Sequence, residues 1–221
     1  MSTDVETIFS APKLDGYYKS VRKDVFPLLT PRPSRILDVG CAEGWTAAYL
    51  KEQGFCDWVS GLEPIAEIKT ADRLDLALRC SLETALDQNL LPQVDTILCL
   101  DVLEHLVDPW MAVRRLAELL PKGGSLIASI PNIRHYKLVL NLLFKGRFRY
   151  ETHGILDSTH LRFFTRETAV ELLEQAGLKV TVVYPQPTLK PWKNKWIVNK
   201  LLGGLMTDLY PIVFHLRAEK V

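Results

Sequence analysis

The sequence predicts one α/β domain with a doubly wound, mostly parallel sheet and helices on both faces. Short apolar runs recur near positions 35, 58, 76, 95 and 126, and helix-like segments separate them. This alternation is typical of parallel strands joined by crossover helices, and because such crossovers are right-handed, the helices cover both faces. A glycine-containing turn follows the first run, and a polar string follows the fourth. Both are therefore expected at the sheet edge where ligands bind.

Length and composition favour a single globular domain over residues 1–221. A formal net charge of +1 argues against a nucleic-acid partner, since dedicated nucleic-acid binders are usually strongly basic. Cys41, Cys56, Cys80 and Cys99 show no C-x-x-C pairing, and most of them lie in or beside apolar runs. This pattern indicates buried free thiols rather than a zinc site or disulfides. With no signal region and no long apolar run, it predicts a cytoplasmic protein without a transmembrane segment.

The first predicted strand ends in a turn that runs from Asp38 to Gly44. Gly40 and Gly44 permit backbone angles and a close approach that a side chain would block, and an amphipathic helix begins directly after them. A large ligand can therefore lie against the amides at the helix start. Glu63 ends the second strand, where a carboxylate suits the two hydroxyls of a ribose. The turn and the acid together predict an adenosine-containing ligand.

The spacing of small residues in this turn argues against a dinucleotide. A dinucleotide fingerprint has glycine at its first, third and sixth places, which Gly40, Ala42 and Trp45 occupy here. The indole of Trp45 would obstruct the close packing that the sixth glycine allows. A P-loop lysine is also absent. The turn therefore favours a nucleoside without a pyrophosphate, and a nicotinamide-dependent oxidoreductase is the less favoured alternative.

The stretch from Asp38 to Gly44 resembles the first motif of class I S-adenosylmethionine-dependent methyltransferases, D-x-G-x-G-x-G, with Ala42 at the middle glycine. Two further strings, at residues 102–109 and 154–165, resemble recurrent features of one subgroup of that family. The resemblance implies S-adenosylmethionine as cofactor and a Rossmann-like sheet whose last strand is antiparallel. It also implies methyl transfer to a small-molecule, sugar or polysaccharide, or lipid-like acceptor. A non-catalytic module that keeps the same fold is the alternative.

The resemblance also assigns the cofactor contacts residue by residue. The predicted cofactor-binding residues are Asp38, Gly40, Ala42, Gly44, Glu63, Ser81, Leu82, Asp101 and Val102. The alternative for Ser81 is a structural role, as the N-cap of a helix over residues 82–90.

Methyl transfer from a sulfonium requires mainly that donor and acceptor be held in line, and a base is needed only where the acceptor loses a proton. His105 and His160 are the predicted catalytic residues, ahead of the other candidate bases, His135 and His153. The alternative for His105 is a brace that holds its loop by hydrogen bonds. The spacing of His153, Asp157 and His160 matches no compact metal signature, so no metal is expected.

The predicted helices follow from periodicity and from proline and glycine positions. Residues 14–29 have helical spacing, so the segment 1–33 is expected to form an N-terminal helix that packs on the sheet or covers the cofactor as a lid. Residues 64–73 are predicted to form a short helix that begins at a proline. Residues 109–120 are predicted to form an amphipathic helix with Met111 facing inward.

The segment 133–164 interrupts the alternation, and its His, Arg, Tyr and Asp content predicts a substrate cover. Thr165 is then expected to cap a helix that Gly177 ends. Near the C-terminus, residues 190–205 combine tryptophans with lysines. They are expected to form a helix that packs on the sheet edge, and the alternative is peripheral contact with a membrane or lipid-linked substrate. Residues 178–184 and 210–216 are predicted to be the last two strands.

Overall fold

The structure, a computed structural model, describes residues 20–29, 34–187, 199–201, 204 and 206–221. Within this part a seven-stranded sheet has the order β3-β2-β1-β4-β5-β7-β6. Strands β1 to β5 pair in parallel, and β7 is antiparallel to both of its neighbours. The predicted fold class is confirmed, including the antiparallel last strand. The strands are β1 Arg35–Val39, β2 Trp58–Leu62, β3 Leu76–Leu78, β4 Thr96–Leu100, β5 Ser125–Pro131, β6 Leu178–Gln186 and β7 Val213–Lys220.

Helices cover both faces of the sheet because successive residues of the strands alternate between two cores. In β1, Leu37 and Val39 face a core completed by the helices at residues 82–87, 109–118 and 166–174, whereas Ile36 faces a core completed by the helix at residues 45–52 and the N-terminal turn. The α-helices are α1 Trp45–Glu52, α2 Leu82–Asp87, α3 Pro109–Glu118, α4 Tyr136–Lys145, α5 Arg166–Glu174 and α6 Met206–Leu209. The described part of the chain also contains three 3₁₀ helices: Lys23–Leu28, Ala71–Arg73 and Leu103–His105.

Two helix starts follow the predicted capping chemistry. The Ser81 hydroxyl accepts a hydrogen bond from the Thr84 amide at 3.1 Å and begins α2. Thr165 and Thr168 exchange side chain–backbone hydrogen bonds in a capping box at the start of α5. Gly177, which follows α5, has a φ of 78°. Both caps are confirmed, the Ser81 cap as the alternative given for that residue, although α2 ends at Asp87 instead of residue 90. The C-cap of α5 is Gln175, two residues before the predicted Gly177.

Other predicted helices are shorter or absent, since tertiary contacts or proline compete for the backbone. Residues 20–29 contain only the 3₁₀ helix Lys23–Leu28 instead of the end of a long α-helix, because Pro27 has no N–H to donate. Residues 1–19 and 30–33 lie outside the described residues, and so does that part of the predicted lid. The helix predicted over residues 64–73 is reduced to its last turn, Ala71–Arg73.

Two surface segments complete the comparison with the predicted elements. Met111 was expected to face inward, yet its side chain is 44% exposed. The helix α4 of the predicted substrate cover has no buried residue. Most of the helix predicted over residues 190–205 lies outside the described residues. In the part of the chain that the structure describes, no helix has the length and apolarity needed to cross a membrane.

Candidate active site

The turn between β1 and α1 requires glycine at two positions. Gly40 has a φ of +68° and Gly44 a φ of +85°, both in the left-handed region. A Cβ atom at Gly40 would lie 2.6 Å from Val102 Cγ2, and one at Gly44 would lie 2.2 Å from Thr70 Oγ1. The close approach predicted for Gly44 is thus made by the protein's own Thr70, and the close approach at Gly40 is made by Val102.

Glu63 holds this turn from the end of β2. Its side chain is 6% exposed, and Oε2 accepts a hydrogen bond from the Ala42 amide at 2.9 Å. The other oxygen, Oε1, accepts from the amides of Ile65 at 2.9 Å and Ala66 at 3.1 Å. These amides are therefore unavailable for the helix predicted over residues 64–73. A carboxylate offers about four lone-pair positions, so Oε2 keeps one for a ligand hydroxyl.

A cavity of about 230 Å³ opens beside the turn, at the carboxyl ends of β1 and β4. Four predicted cofactor residues line it: Asp38, Gly40, Ala42 and Asp101. The other predicted cofactor residues, Gly44, Glu63, Ser81, Leu82 and Val102, are not part of its lining.

Asp38 is the most deeply buried acid of this cavity, with 3% of its surface exposed. Burial raises the pKa of Asp38 to about 7, the positive charge of Arg22 lowers it, and the negative charge of Glu63 raises it. A ligand that carries a sulfonium or ammonium charge near Asp38 would favour the ionised carboxylate. The site is therefore electrostatically suited to the predicted cofactor, which carries both charges.

Arg22 reaches over the cavity from the N-terminal segment. Its Nη1 donates to Asp101 Oδ2 at 2.6 Å, and its Nη2 donates to Asp24 Oδ2 at 3.0 Å and to Ser129 Oγ at 3.2 Å. The Arg22 amide donates to Thr46 Oγ1 at 3.1 Å, which fixes the segment on α1. The sequence predictions missed Arg22. The residues next to Arg22 in the sequence do not distinguish it from an ordinary surface arginine, because its partner Asp101 lies 79 positions away in the chain.

A second cavity, of about 500 Å³, meets the first one at Arg22 and Asp101, which line both. The predicted catalytic residues His105 and His160 line its wall. The remaining lining residues come from the N-terminal turn, the turn after β4, β5, the predicted cover and the β7 region: Asp24, Glu104, Ser129, Pro131, Thr152, His153, Gly154, Ile155, Asp157, Ile212, Val213 and His215.

His215 is a second residue that the sequence predictions missed, although a histidine between the apolar residues Phe214 and Leu216 is a detectable signal. It is 1% exposed, and its Nε2 lies 3.2 Å from Asp24 Oδ2. Burial lowers the pKa of His215, and Arg22 lowers it as well, while Asp24 and Asp101 act in the opposite direction. His215 is therefore held as a neutral ring beneath the junction of the two cavities.

Glu104, His105 and His160 converge in the larger cavity. One potential ligand atom from each of them lies within 4.8 Å of the other two. Glu104 is 1% exposed, and its Oε1 lies 4.0 Å from His160 Nε2. The rings of His105 and His160 have centroids 4.7 Å apart at 73°. The metal prediction considered His153 and Asp157 with His160, whereas the structure groups His160 with Glu104 and His105.

The two imidazoles are oriented by backbone carbonyls. His105 Nδ1 lies 3.0 Å from the Thr159 oxygen, and His160 Nδ1 lies 3.0 Å from the Ile155 oxygen. Because a carbonyl only accepts, each neutral ring carries its proton on Nδ1 and keeps a lone pair on Nε2. The bracing contact that was the alternative for His105 is thus made by Nδ1.

The loop that carries these contacts is itself fixed by Asp157 and Glu104. The amide and hydroxyl of Thr159 donate to Asp157 Oδ1 at 2.9 and 2.7 Å. The amides of Leu161 and Arg162 donate to the Glu104 carbonyl at 2.8 and 3.0 Å. The predicted cover and the turn after β4 are therefore joined directly beneath the two histidines.

Comparison with known proteins agrees with this geometry. A family model described as a methyltransferase domain matches residues 13–183, and the chain belongs to that family. The protein is an S-adenosylmethionine-dependent methyltransferase, and S-adenosylmethionine is its cofactor. The predicted class, enzyme type and cofactor are confirmed.

The relatives include a ubiquinone biosynthesis O-methyltransferase from Xylella fastidiosa (strain 9a5c), which is 26% identical over 73% of this chain and 67% of its own length. A S-adenosylmethionine-dependent methyltransferase from Archaeoglobus fulgidus has a similar fold, with a TM-score of 0.63 at 18% identity over 89% of this chain and 90% of that one. The structure of a Burkholderia thailandensis 1,6-didemethyltoxoflavin-N1-methyltransferase with bound 1,6-didemethyltoxoflavin and S-adenosylhomocysteine is also similar. The TM-score is 0.56 at 18% identity, over 86% of this chain and 72% of that one.

Proposed function

We propose that this enzyme transfers the methyl group of S-adenosylmethionine to a hydroxyl oxygen of a small-molecule acceptor. The observation that carries the proposal is the meeting of the two cavities at Arg22 and Asp101. A donor on the β1 turn and an acceptor beside His105 and His160 would face each other at this junction. The volume of about 500 Å³ is in the range that small-molecule pockets occupy.

In this proposal the predicted cofactor residues keep their roles. Asp38 and Asp101 face the positive charges of the donor, and the remaining Oε2 lone pair of Glu63 accepts from the ribose. The turn residues Gly40, Ala42 and Gly44 fix the backbone beneath the donor. Ser81 and Leu82 contact the adenine, and Val102 borders it over Gly40. The Ser81 hydroxyl already caps α2, so its contribution to the adenine is the smallest.

An oxygen acceptor is supported by the two imidazoles and by the name of a relative. A hydroxyl must lose its proton as its oxygen attacks, and His105 and His160, which line the acceptor cavity, supply the imidazoles that would accept it. The relative from Xylella fastidiosa is named as an O-methyltransferase. In the step, the acceptor oxygen bonds to the methyl carbon, the carbon–sulfur bond breaks, neutral S-adenosylhomocysteine leaves, and the hydroxyl proton passes to an imidazole.

Holding donor and acceptor in line supplies most of the acceleration, about 7–11 kcal/mol at best. The imidazoles add the proton transfer, which typically contributes 10²–10⁴-fold, by a general estimate. Arg22 and the loop fixed by Asp157 contribute by keeping the junction and the two rings in one position.

Transfer of labelled methyl groups to a panel of phenols and catechols tests the proposal. We expect label in a hydroxyl-bearing acceptor and none in the matched compound that lacks the hydroxyl. His105→Asn and His160→Asn should lower kcat about 10²-fold while S-adenosylhomocysteine affinity stays within about threefold. Glu118→Gln, an exposed change on α3, is the control that keeps activity. Label found only in amine acceptors would overturn the oxygen assignment.

An acceptor with an apolar tail is the second candidate, and a path of aromatic rings favours it. The ring of Phe163 lies 6.4 Å from that of His160, and it contacts Phe148 at 5.6 Å and Tyr150 at 6.2 Å. Phe148 and Tyr150 are 44% and 56% exposed, so the path runs from the cavity to the surface. A tail of increasing length on one head group should lower KM, and Tyr150→Ser should remove the gain. A KM independent of tail length would exclude this candidate.

A further inference from the structure

We infer that Glu104, His105 and His160 form a binding site for a divalent transition-metal cation of the Zn²⁺ type, which holds the acceptor oxygen. The role of the acceptor rests on the proposed function, whereas the cation site rests on the geometry alone. The site differs from the sequence prediction, which expected no metal.

The three side chains come from two separate segments that the fold brings to one point. Glu104 and His105 lie in the 3₁₀ turn after β4, and His160 lies in the loop before α5. Their potential ligand atoms lie within 4.8 Å of one another. Zinc binds nitrogen and oxygen at about 2.0–2.2 Å, so ligand atoms around it are roughly 3.3 Å apart. The side chains must therefore move their ligand atoms closer together, by roughly 1 Å, to bring the spacing from at most 4.8 Å to about 3.3 Å.

The surroundings of the two histidines are those of metal ligands. A metal-bound histidine nearly always donates its other ring N–H to a carbonyl or carboxylate, which fixes its orientation. His105 and His160 both place Nδ1 3.0 Å from a backbone oxygen. Thr159, whose carbonyl accepts the hydrogen bond from His105, itself donates two hydrogen bonds to Asp157. The chain thus orients both imidazoles by the same device and gives each an electron-rich Nε2.

The chemistry of the ligand set selects the class of cation. Two imidazoles and one carboxylate suit zinc, cobalt, manganese or iron, whereas magnesium and calcium prefer oxygen ligands throughout. Three protein ligands leave coordination positions open, as in catalytic rather than structural sites. All three residues line the 500 Å³ cavity. An acceptor hydroxyl bound there would lose its proton more readily, because the cation stabilises the oxyanion.

An imidazole cannot bind a cation and accept a proton through the same Nε2 lone pair. Whether a cation is bound therefore decides which of the two roles the histidines have. With a cation bound, the histidines are ligands and the hydroxyl proton leaves to water. Without one, an imidazole takes the proton. Removal of the cation would therefore lower kcat without weakening the binding of S-adenosylhomocysteine, which occupies the other cavity.

The test is titration of the full chain, stripped with a chelator, with Co²⁺ followed by visible absorption, and then displacement by Zn²⁺. We expect one equivalent of cobalt with the absorption of a low-coordinate nitrogen–oxygen site. Glu104→Gln and His160→Asn should weaken binding at least about tenfold. His153→Asn is the matched control, since this histidine lines the same cavity outside the cluster, and it should bind cobalt like the unaltered chain.

A measurement on the unaltered chain avoids variants that fail to fold. Bound Co²⁺ should shift the ring-proton resonances of His105 and His160 more than those of His153. Absence of stoichiometric cobalt binding, or equal binding in the Glu104→Gln and His160→Asn variants, would overturn the inference. Calorimetry with S-adenosylhomocysteine keeps the two proposals apart. Cobalt binding without nucleoside binding supports the cation site and overturns the proposed function.

Discussion

Two cavities are built in different ways: the cavity of about 230 Å³, which we propose binds the donor (the donor cavity), and the cavity of about 500 Å³, which we propose binds the acceptor (the acceptor cavity). Gly40, Cys41 and Ala42, consecutive residues of one turn, line the donor cavity, and its shape depends on backbone conformation there. The acceptor cavity is assembled from side chains of the N-terminal turn, the turn after β4, β5, the segment 152–160 and the β7 region. A site made of backbone is encoded within a few neighbouring residues, whereas a site made of side chains exists only once distant segments meet. The two halves should therefore respond differently to substitution.

Asp101 belongs to both halves, so its replacement should have the largest effect. Asp101→Asn leaves Arg22 with one carboxylate partner fewer and removes a negative charge from the junction. We expect kcat/KM to fall about 10²-fold or more, with losses in both donor and acceptor binding. Steady-state kinetics and calorimetry measure the two contributions. If only donor binding were lost, the two cavities would not share a functional boundary.

Glu63 belongs to the donor half alone. Glu63→Gln keeps the size of the side chain and lowers its acceptor capacity toward the Ala42 amide and the ribose. We expect the Kd for S-adenosylmethionine to rise about tenfold or more, since hydrogen bonds to charged groups contribute about 1.5–3 kcal/mol. Cobalt binding at the acceptor side should stay unchanged.

The exposed Glu52→Gln on α1 serves as the matched control for Glu63→Gln. An unchanged affinity for the donor would contradict the assignment of Glu63 to the ribose, and a loss of cobalt binding would contradict the independence of the two halves.

A smaller effect should follow from pH, through Asp38. Its pKa is raised to about 7, so a cationic donor must displace a proton when it binds at lower pH. The Kd for S-adenosylmethionine should rise about tenfold between pH 8 and pH 6 and level off above pH 7. The raised pKa also means that the unliganded fold loses stability as pH rises from about 4 to 7.

Asp38→Asn should abolish the pH dependence of the S-adenosylmethionine Kd and the loss of stability between about pH 4 and 7. Calorimetry at several pH values, in buffers of different ionisation enthalpy, counts the released protons. Donor binding that stays constant across this pH range would contradict the role of Asp38.

The same contrast explains which features could be predicted from the sequence. The turn at residues 40–44 and the caps at Ser81 and Thr165 are local, and each was predicted from neighbouring residues. The mostly parallel sheet with helices on both faces was predicted from alternation and right-handed crossovers. Periodicity was a weaker guide where tertiary contacts decide, as at Met111, whose apolar side chain points outward.

The acceptor side was only partly predictable because its geometry depends on distant contacts. His105 and His160 were selected by residue type, but Glu104 was not, because the sequence does not reveal that its Oε1 lies 4.0 Å from His160 Nε2. The metal hypothesis was sought among residues of one segment, whereas the cluster joins two. Arg22 was missed for the same reason.

The contact between Gly44 and Thr70 limits how far the donor-binding turn can be moved to another protein. Thr70 fills the space that Gly44 leaves, and its amide and hydroxyl both donate to the Glu43 carbonyl, at 3.2 and 3.1 Å. Grafting residues 38–46 onto the sheet of another protein would transfer the turn without Thr70, which packs against Gly44. The graft would also need the loop after β2, because the conformation of the turn depends on residues of both segments.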